Sequence, residues 1–319
     1  MHLRFPDVAI ALPHYESVYC ALVHPTEPEA LWIRTTVKKR PGREPAGALW
    51  VTWFGPAGVR ATKIDELPVS PGGLGITCGP ASQGPPGSRG FVESEGFSGQ
   101  WDLSFTPRTT SLEHLRSQLL YRAPLPRTKA TSPVPDLGVG GILVVDNIPV
   151  DMTGWTGMVG HNWGTEHAAR WIWLRACGLG DDGSGWLDAV LGRVRVGPVL
   201  APWTAFGALE IDGARHNLGG LLTRGTSVAI SGRAADIGLA GPGVSVRVRA
   251  EVLPKEMVGW EYADPGGHRH EVVNCSVAEM SLVVDRGDSR KTFHPSRRGV
   301  LEIGGDRRAF DVPLQPFPD

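Results

Sequence analysis

Between Gly157 and Leu179 the sequence runs GMVGHNWGTEHAARWIWLRACGL, which places two histidines, three tryptophans, one glutamate and two arginines in one stretch. An imidazole exchanges protons near neutral pH, and a neighbouring carboxylate can orient it. Indole faces cover large apolar areas and attract cationic centres. If the segment is a single strand, Val159, His161, Trp163, His167, Trp171, Trp173 and Arg175 share one face. Asn162, Glu166, Ile172, Leu174 and Ala176 share the other. Gly160 and Gly164 can bend or bulge the strand and shift that phase. The aromatic and cationic face is expected in a barrel lumen, with Ile172 and Leu174 against a second layer. Such a wall suits a large lipophilic ligand, including one that gains positive charge as it reacts. Against this stands simple packing, since tryptophan and histidine on a strand are ordinarily satisfied core residues. The cluster as a whole favours a site, because burying so many polar groups together costs free energy unless they are paired or used.

Metal chemistry is the weaker reading of the same residues. His161 and His167 can share a face beside Glu166, but the spacing is not HExxH and no third ligand stands out. The HEVVN run from His270 has Asn274 where a second histidine belongs. No metal site and no cofactor is therefore expected. There is no GxxxxGK[ST] loop, no strand–GxGxxG–helix unit and no GxSxG elbow, so phosphate-bearing cofactors and a serine nucleophile are not indicated. A second cluster runs from Trp260 through Glu261, Tyr262 and Asp264 to His268 and His270. The DPGG at 264–267 signals a turn, which would pair its flanks and bring Tyr262 near His270.

The elements that must position these residues are mostly strands. Val244, Val246, Val248, Ala250 and Val252 alternate with polar residues, as do Trp101, Leu103 and Phe105; Leu49, Val51 and Trp53 form another face. Asp146-Asn147 and Asp212-Gly213 read as hairpin turns, and 42 glycines and 27 prolines fit many short strands. One helix is predicted in TSLEHLRSQLLYRA, with Leu112, Leu115 and Leu119 on one face and a capping box from Thr110 to Glu113. A Pro-rich connection, PLPRTKATSPVPDLG, follows as a linker or long crossover. The best boundary lies near residue 165. The economical architecture is two antiparallel β-barrels or sandwiches in tandem, residues 1–164 and 165–319, because antiparallel strands must close or pack to hide their edges.

Composition bounds the partners. The 319 residues carry a formal net charge of −1, with 20% charged and 41% hydrophobic residues. That suits a folded chain with no global basic field to attract nucleic acid or an anionic membrane. No stretch approaches the roughly 20 apolar residues of a membrane span, and the N-terminus does not read as a signal peptide. A cytoplasmic protein is expected. Cys20, Cys78, Cys177 and Cys275 are scattered and read as buried free thiols, and the sequon at Asn274 is then unused.

In GWTGMVGHNWG, Trp155 and the run His161-Asn162-Trp163-Gly164 resemble the lipocalin-like two-barrel superfamily. That group includes the carotenoid hydratases (hydroxyneurosporene synthase), the AttH-type proteins and the fungal Diels–Alderases. The aromatic strand, Gly/Asp hairpin and strand ending near Arg193 and Arg195 that follow look similar too. The resemblance implies an all-β fold of two tandem calycin barrels with few helices. Gly160 stands where that pattern commonly has an aspartate. If that carboxylate protonates an alkene in the hydratases, hydration is in doubt here, and Glu166 or His167 is the nearest substitute. Holding a substrate in a reactive fold needs shape rather than an acid.

The expected function is a cofactor-independent enzyme that cyclises, isomerises or hydrates an isoprenoid or polyketide-like lipophile in a barrel pocket. Trp155, Trp163, Trp171 and Trp173 would line it, with Tyr262 nearby and Arg175 anchoring a polar end. His161 would be the acid/base, oriented by Asn162 or Glu166, with His167 as a further candidate. The rival is a lipophile carrier without turnover. A third possibility is an interaction module with a filled core and no pocket.

Overall fold

The computed structural model describes residues 1–95, 97–287, 289–305 and 310–317. The chain is nearly all-β, a nearly closed barrel followed by a half-barrel. The first sheet takes its strands from residues 14–164 and the second from residues 170–304. In the first, the order runs Gly58–Leu67, Ala46–Gly55, Ala30–Lys39, His14–Val23, Thr156–Gly164, Thr128–Val145, Phe97–Pro107 and Gly87–Ser94, then three short strands back to Val69–Pro71. Gln83 Nε2 donates to the Ile33 carbonyl at 3.1 Å, which ties the short strands across to the long ones. In the second sheet Arg170–Leu179 lies between Gly185–Arg193 and Gly299–Gly304, and Gly299–Gly304 in turn pairs with Arg269–Asp285.

Period-two alternation explains how the two sheets share one wall. On His14–Val23, Val18, Cys20 and Leu22 point into the first barrel, where they meet Leu31, Ile33, Leu49, Val51 and Trp101. The intervening Tyr19, Ala21 and Val23 point the other way and join a larger core that continues into Leu174, Leu187 and Leu301 of the second sheet. Every residue of His14–Val23 is consequently buried. The alternation read from sequence at Val244–Glu251 is present, with valines in and charges out. Asp146-Asn147 and Asp212-Gly213 both have positive φ at both positions, as a two-residue hairpin turn matched to strand twist requires. All four cysteines are free and buried.

Three local expectations are corrected. The stretch 157–179 is not one strand: Thr156–Gly164 and Arg170–Leu179 belong to different sheets, separated by a loop at 165–169. The helix covers only Gln118–Arg122, and Ser117 caps it by accepting from the Leu119 N–H at 3.3 Å. Leu112–Glu113 instead pairs with Thr131 and Ser132, because Leu112 finds a buried place beside Trp186 and Ala208. Leu119, expected on the buried face, is 75% exposed. The Pro-rich connection is neither linker nor crossover from Thr128 onward, but the start of the strand Thr128–Val145. Its register against Thr156–Gly164 shifts between Thr131 and Val134 and again between Val134 and Leu137, at Pro133 and Pro135, whose missing N–H groups cannot serve the ladder.

The revised assignment predicts that Leu112→Ala costs about 2–5 kcal/mol by leaving a cavity. Leu119→Ala should change stability by no more than about 0.5 kcal/mol. Urea unfolding of the two variants checks this, and equal losses would restore the longer helix.

Candidate active site

Behind the shared wall lies a cavity of about 400 Å³. Its floor is the outer face of the first barrel, through Tyr19, Trp32, Arg34, Ala130 and Asn162. Its roof is the second sheet, through Trp171, Trp173, Val190, Phe206 and Tyr262. His114, His167 and Glu302 stand in it beside Arg34 and the phenols of Tyr19 and Tyr262.

The loop at 165–169 swings His167 onto this wall. His167 Nδ1 is 2.6 Å from Asp264 Oδ1, and its own backbone N–H donates to the same oxygen at 2.8 Å. The ring stacks on Tyr15 with centroids 4.2 Å apart and faces Trp171 at 5.3 Å. Nε2 is buried and has no hydrogen-bond partner among the described residues. Asp264 opens the 264–267 turn, and its second oxygen is 2.9 Å from His270 Nε2. Tyr262 and His270 are register partners across that hairpin. Burial alone would raise the Asp264 pKa, but the bonds from His167 and His270 hold it well below the usual carboxylate range. Burial lowers the pKa of His167 more than the Asp264 charge raises it. His167 Nδ1 faces the Asp264 carboxylate, which can only accept, and Nε2 is left without a hydrogen-bond partner among the described residues.

Beside this pair, Glu302 accepts from Trp171 Nε1 at 2.9 Å, Tyr262 Oη at 3.0 Å and Asn274 Nδ2 at 3.3 Å. Arg34 donates to Ser17 Oγ at 2.7 Å and lies over the Tyr262 ring, 4.0 Å from its centroid. Burial, then the Glu302 charge and hydrogen bond, keep the Tyr262 phenol protonated by raising its pKa well above the ordinary value, against the pull of Arg34. Gly304 faces Trp171 across the sheet, and a Cβ there would sit 2.1 Å from the indole ring, so the absence of a side chain is what lets Trp171 lie flat. At the other end of the wall Asp188 accepts from Ser132 Oγ at 2.5 Å and Trp173 Nε1 at 3.0 Å, and His114 Nε2 is 3.5 Å away. Burial would raise the Asp188 pKa; His114, Arg175 and the Ser132 bond together lower it to about 2.

The ligand atoms of His167, Asp264 and His270 lie within 4.8 Å of one another, close enough to hold a metal ion. Each Asp264 oxygen faces one imidazole nitrogen, and His167 Nε2 is left without a partner among the described residues.

Of the residues singled out in the sequence, Asn162, His167, Trp171, Trp173 and Tyr262 meet on the cavity wall. The others lie elsewhere. His161 points into the first barrel, 2.6 Å from Glu16, which also accepts from the backbone of Arg4 and Phe5. Trp155 packs inside the same barrel between Trp53 and His24. Trp163 stacks on Tyr121 and His161 under Arg4. Glu166 is paired with Arg127 at the surface. Arg175 is buried and donates to the carbonyls of Pro135 at 2.6 Å and Gly157 at 2.9 Å, joining the two sheets. Sequence reasoning missed Arg34, His114, Asp188 and Glu302, which sit singly in ordinary strands or beside them. Gly160 is opposite Tyr19, and a Cβ there would lie 2.1 Å from the phenol ring. The tyrosine fills the space that an aspartate would need.

No protein-family model matches the sequence. The uncharacterised proteins Rv0493c and MT0513 of Mycobacterium tuberculosis (strains ATCC 25618 / H37Rv and CDC 1551 / Oshkosh) are each 25% identical over 275 residues, 83% of this chain and 79% of theirs. Among solved structures, a putative AttH (NE1406) from Nitrosomonas europaea matches with TM-score 0.51 and 15% identity, over 96% of this chain and 97% of that one. CghA matches with TM-score 0.59 and 12% identity, over 96% and 90%. The chain has the two-barrel fold of these proteins. That is the fold the resemblance at Trp155 and His161–Gly164 implied. Among the described residues no helix is long and apolar enough to cross a membrane.

Two outcomes follow from this geometry. Bonds from His14, His161 and the backbone overcome burial and bring Glu16 down from 4.5 to about 2. The stability it confers is complete above pH 4.5 and lost as pH falls toward 2. Glu16→Gln should remove that acid limb in pH-dependent unfolding; an unchanged profile would deny Glu16 the role. Gly160→Asp should cost about 1–3 kcal/mol by displacing Tyr19. Thermal unfolding with no loss would show that the ring yields freely.

Proposed function

We propose that this protein is an enzyme that rearranges a hydrophobic small molecule by proton transfer, without a redox cofactor, in the cavity between its two sheets. The observation that carries the reading is His167: an imidazole on an aromatic wall, held through Nδ1 by the buried Asp264, with Nε2 unpartnered among the described residues. Its free Nε2 can take a proton from a substrate carbon or hydroxyl, and Asp264 stabilises the imidazolium so formed. Returning that proton at another atom completes an isomerisation or cyclisation. Tyr262 gives its one O–H to Glu302 and holds its ring on the wall beside His167. Trp171, Trp173 and Trp32 fold the apolar skeleton, and their π-faces suit a carbon centre that becomes positive. Hydration by a carboxylate at position 160 has no support, since Tyr19 occupies that place. CghA, a protein of the same fold, has been solved with Sch210972, which supports a ligand-binding reading. The lipophile and its reaction, isoprenoid or polyketide-like, are proposed on the size and aromatic character of the wall alone.

The rival reading is a carrier, favoured by the mostly aliphatic and aromatic lining. One experiment separates the two. Native mass spectrometry of the purified protein identifies the lipophile that travels with it, and that compound is then incubated with wild type and His167→Gln. Enzyme activity predicts a new product, slowed about 10²–10⁴-fold in the variant while affinity changes little. Because burial lowers the His167 pKa, the basic form persists as pH falls below the ordinary imidazole value of 6.5, so the acid limb of kcat/KM should lie below it. A ligand recovered unchanged after hours, or a His167→Gln variant of full activity, would sink the proposal.

A further inference from the structure

Three short segments frame the mouth of the cavity, and none is a strand of either large sheet. They are the helix Gln118–Arg122 with the loop to Pro126, a separate ribbon that pairs Arg195–Val196 with Val199–Leu200, and the loop at 220–226. Each brings a residue to the cavity wall: Leu125, Val194 and Leu221. Each also turns apolar side chains away from the protein. Leu222 is 97% exposed, Val196 67% and Val199 63%, beside the exposed Leu119. The lone turn of helix and the ribbon bury little of themselves in return.

The charges in these segments have one sign. There is no aspartate or glutamate in 114–135, 193–203 or 219–226, although the whole chain is −1. Arg116, Arg122, Arg195 and Arg224 are exposed in them. Two acids stand beside them: Glu113, which is exposed and accepts from Gln118 Nε2 at 2.7 Å, and Glu166, which is paired with Arg127. Exposed apolar patches with a polar rim mark interaction sites. An apolar collar whose charged rim is mainly cationic, four exposed arginines against Glu113, is complementary to an anionic lipid surface, where the aliphatic tips enter the acyl boundary and each arginine adds attraction to the headgroups. A two-fold contact with a second copy would instead set this arginine ring against itself.

We propose that the collar docks on an anionic phospholipid bilayer and seats the cavity mouth against its acyl region. A lipophilic ligand then passes between bilayer and cavity without crossing water. This goes beyond the proposed chemistry and holds whether the ligand is transformed or only carried.

The test is flotation of the purified protein with two kinds of vesicle, pure phosphatidylcholine and the same lipid with about one-third phosphatidylglycerol. Binding to the anionic vesicles is expected, with little to the neutral ones, and it should fall as salt approaches about 1 M. Arg195→Glu with Arg224→Glu should weaken it about tenfold or more. Leu222→Asp with Val199→Asp should abolish it; all four positions are exposed, so folding is not at stake. The proposal is overturned if the protein floats with neither vesicle, or if both double variants bind like wild type. It is equally overturned if light scattering shows a dimer that the Leu222→Asp pair dissolves while lipid is ignored, which would assign the collar to a second copy.

Discussion

The molecule depends on a wall of strands buried on both faces. His14–Val23 and its neighbour Ala30–Lys39 send alternate side chains into two different cores. A strand of this kind has no solvent face, so its register is fixed twice over: a slip by one residue would exchange the contents of both cores. The same constraint creates the cavity. Where the side chains on the far face are aliphatic, as at Ala21 and Val23, the second sheet packs down onto them. Where they are Tyr19, Trp32 and Arg34, they line the cavity between the two sheets.

The buried carboxylates of this structure survive because each is answered. Glu16, Asp188, Asp264 and Glu302 are nearly or wholly buried, and each accepts several hydrogen bonds. Glu16 and Asp188 end near 2 in spite of their burial, and Asp264 is held low in the same way. Their work differs by place. Glu16 pins the N-terminal residues and His161 into the first barrel, a structural duty. Asp264 holds a histidine whose other nitrogen is unengaged. Both are histidine–carboxylate pairs with a separation of 2.6 Å, so what distinguishes them is which side of the shared wall they stand on.

Much of the architecture was legible because it is periodic. Alternation at 244–252 and 101–105, and the turn pairs at 146–147 and 212–213, depend on local sterics and are written in consecutive residues. From 110 on, the leucine spacing fits a helix face and a strand position alike. Leu112 takes a strand position beside Thr131 and Ser132, a preference no local signal carries. Pro133 and Pro135 argued against a strand, and the strand absorbs them in bulges. In the candidate site, Trp171, Trp173, Tyr262 and His167 were found through their crowding. His161 was favoured over His167 because it stood in the more recognisable run.

The sequence by itself determined that this is a chain of short antiparallel strands in two sets, with its aromatic and imidazole groups gathered near the junction; alternation, turn residues and composition act locally and need no partner. Only the tertiary structure decided which histidine meets the cavity. The loop at 165–169 reverses the facing of the chain as it passes from one sheet to the next, so the even-numbered Asn162 and the odd-numbered His167, Trp171 and Trp173 come to one wall. The carboxylate that orients His167 is 97 residues away, brought there by sheet order, which no spacing along the chain encodes.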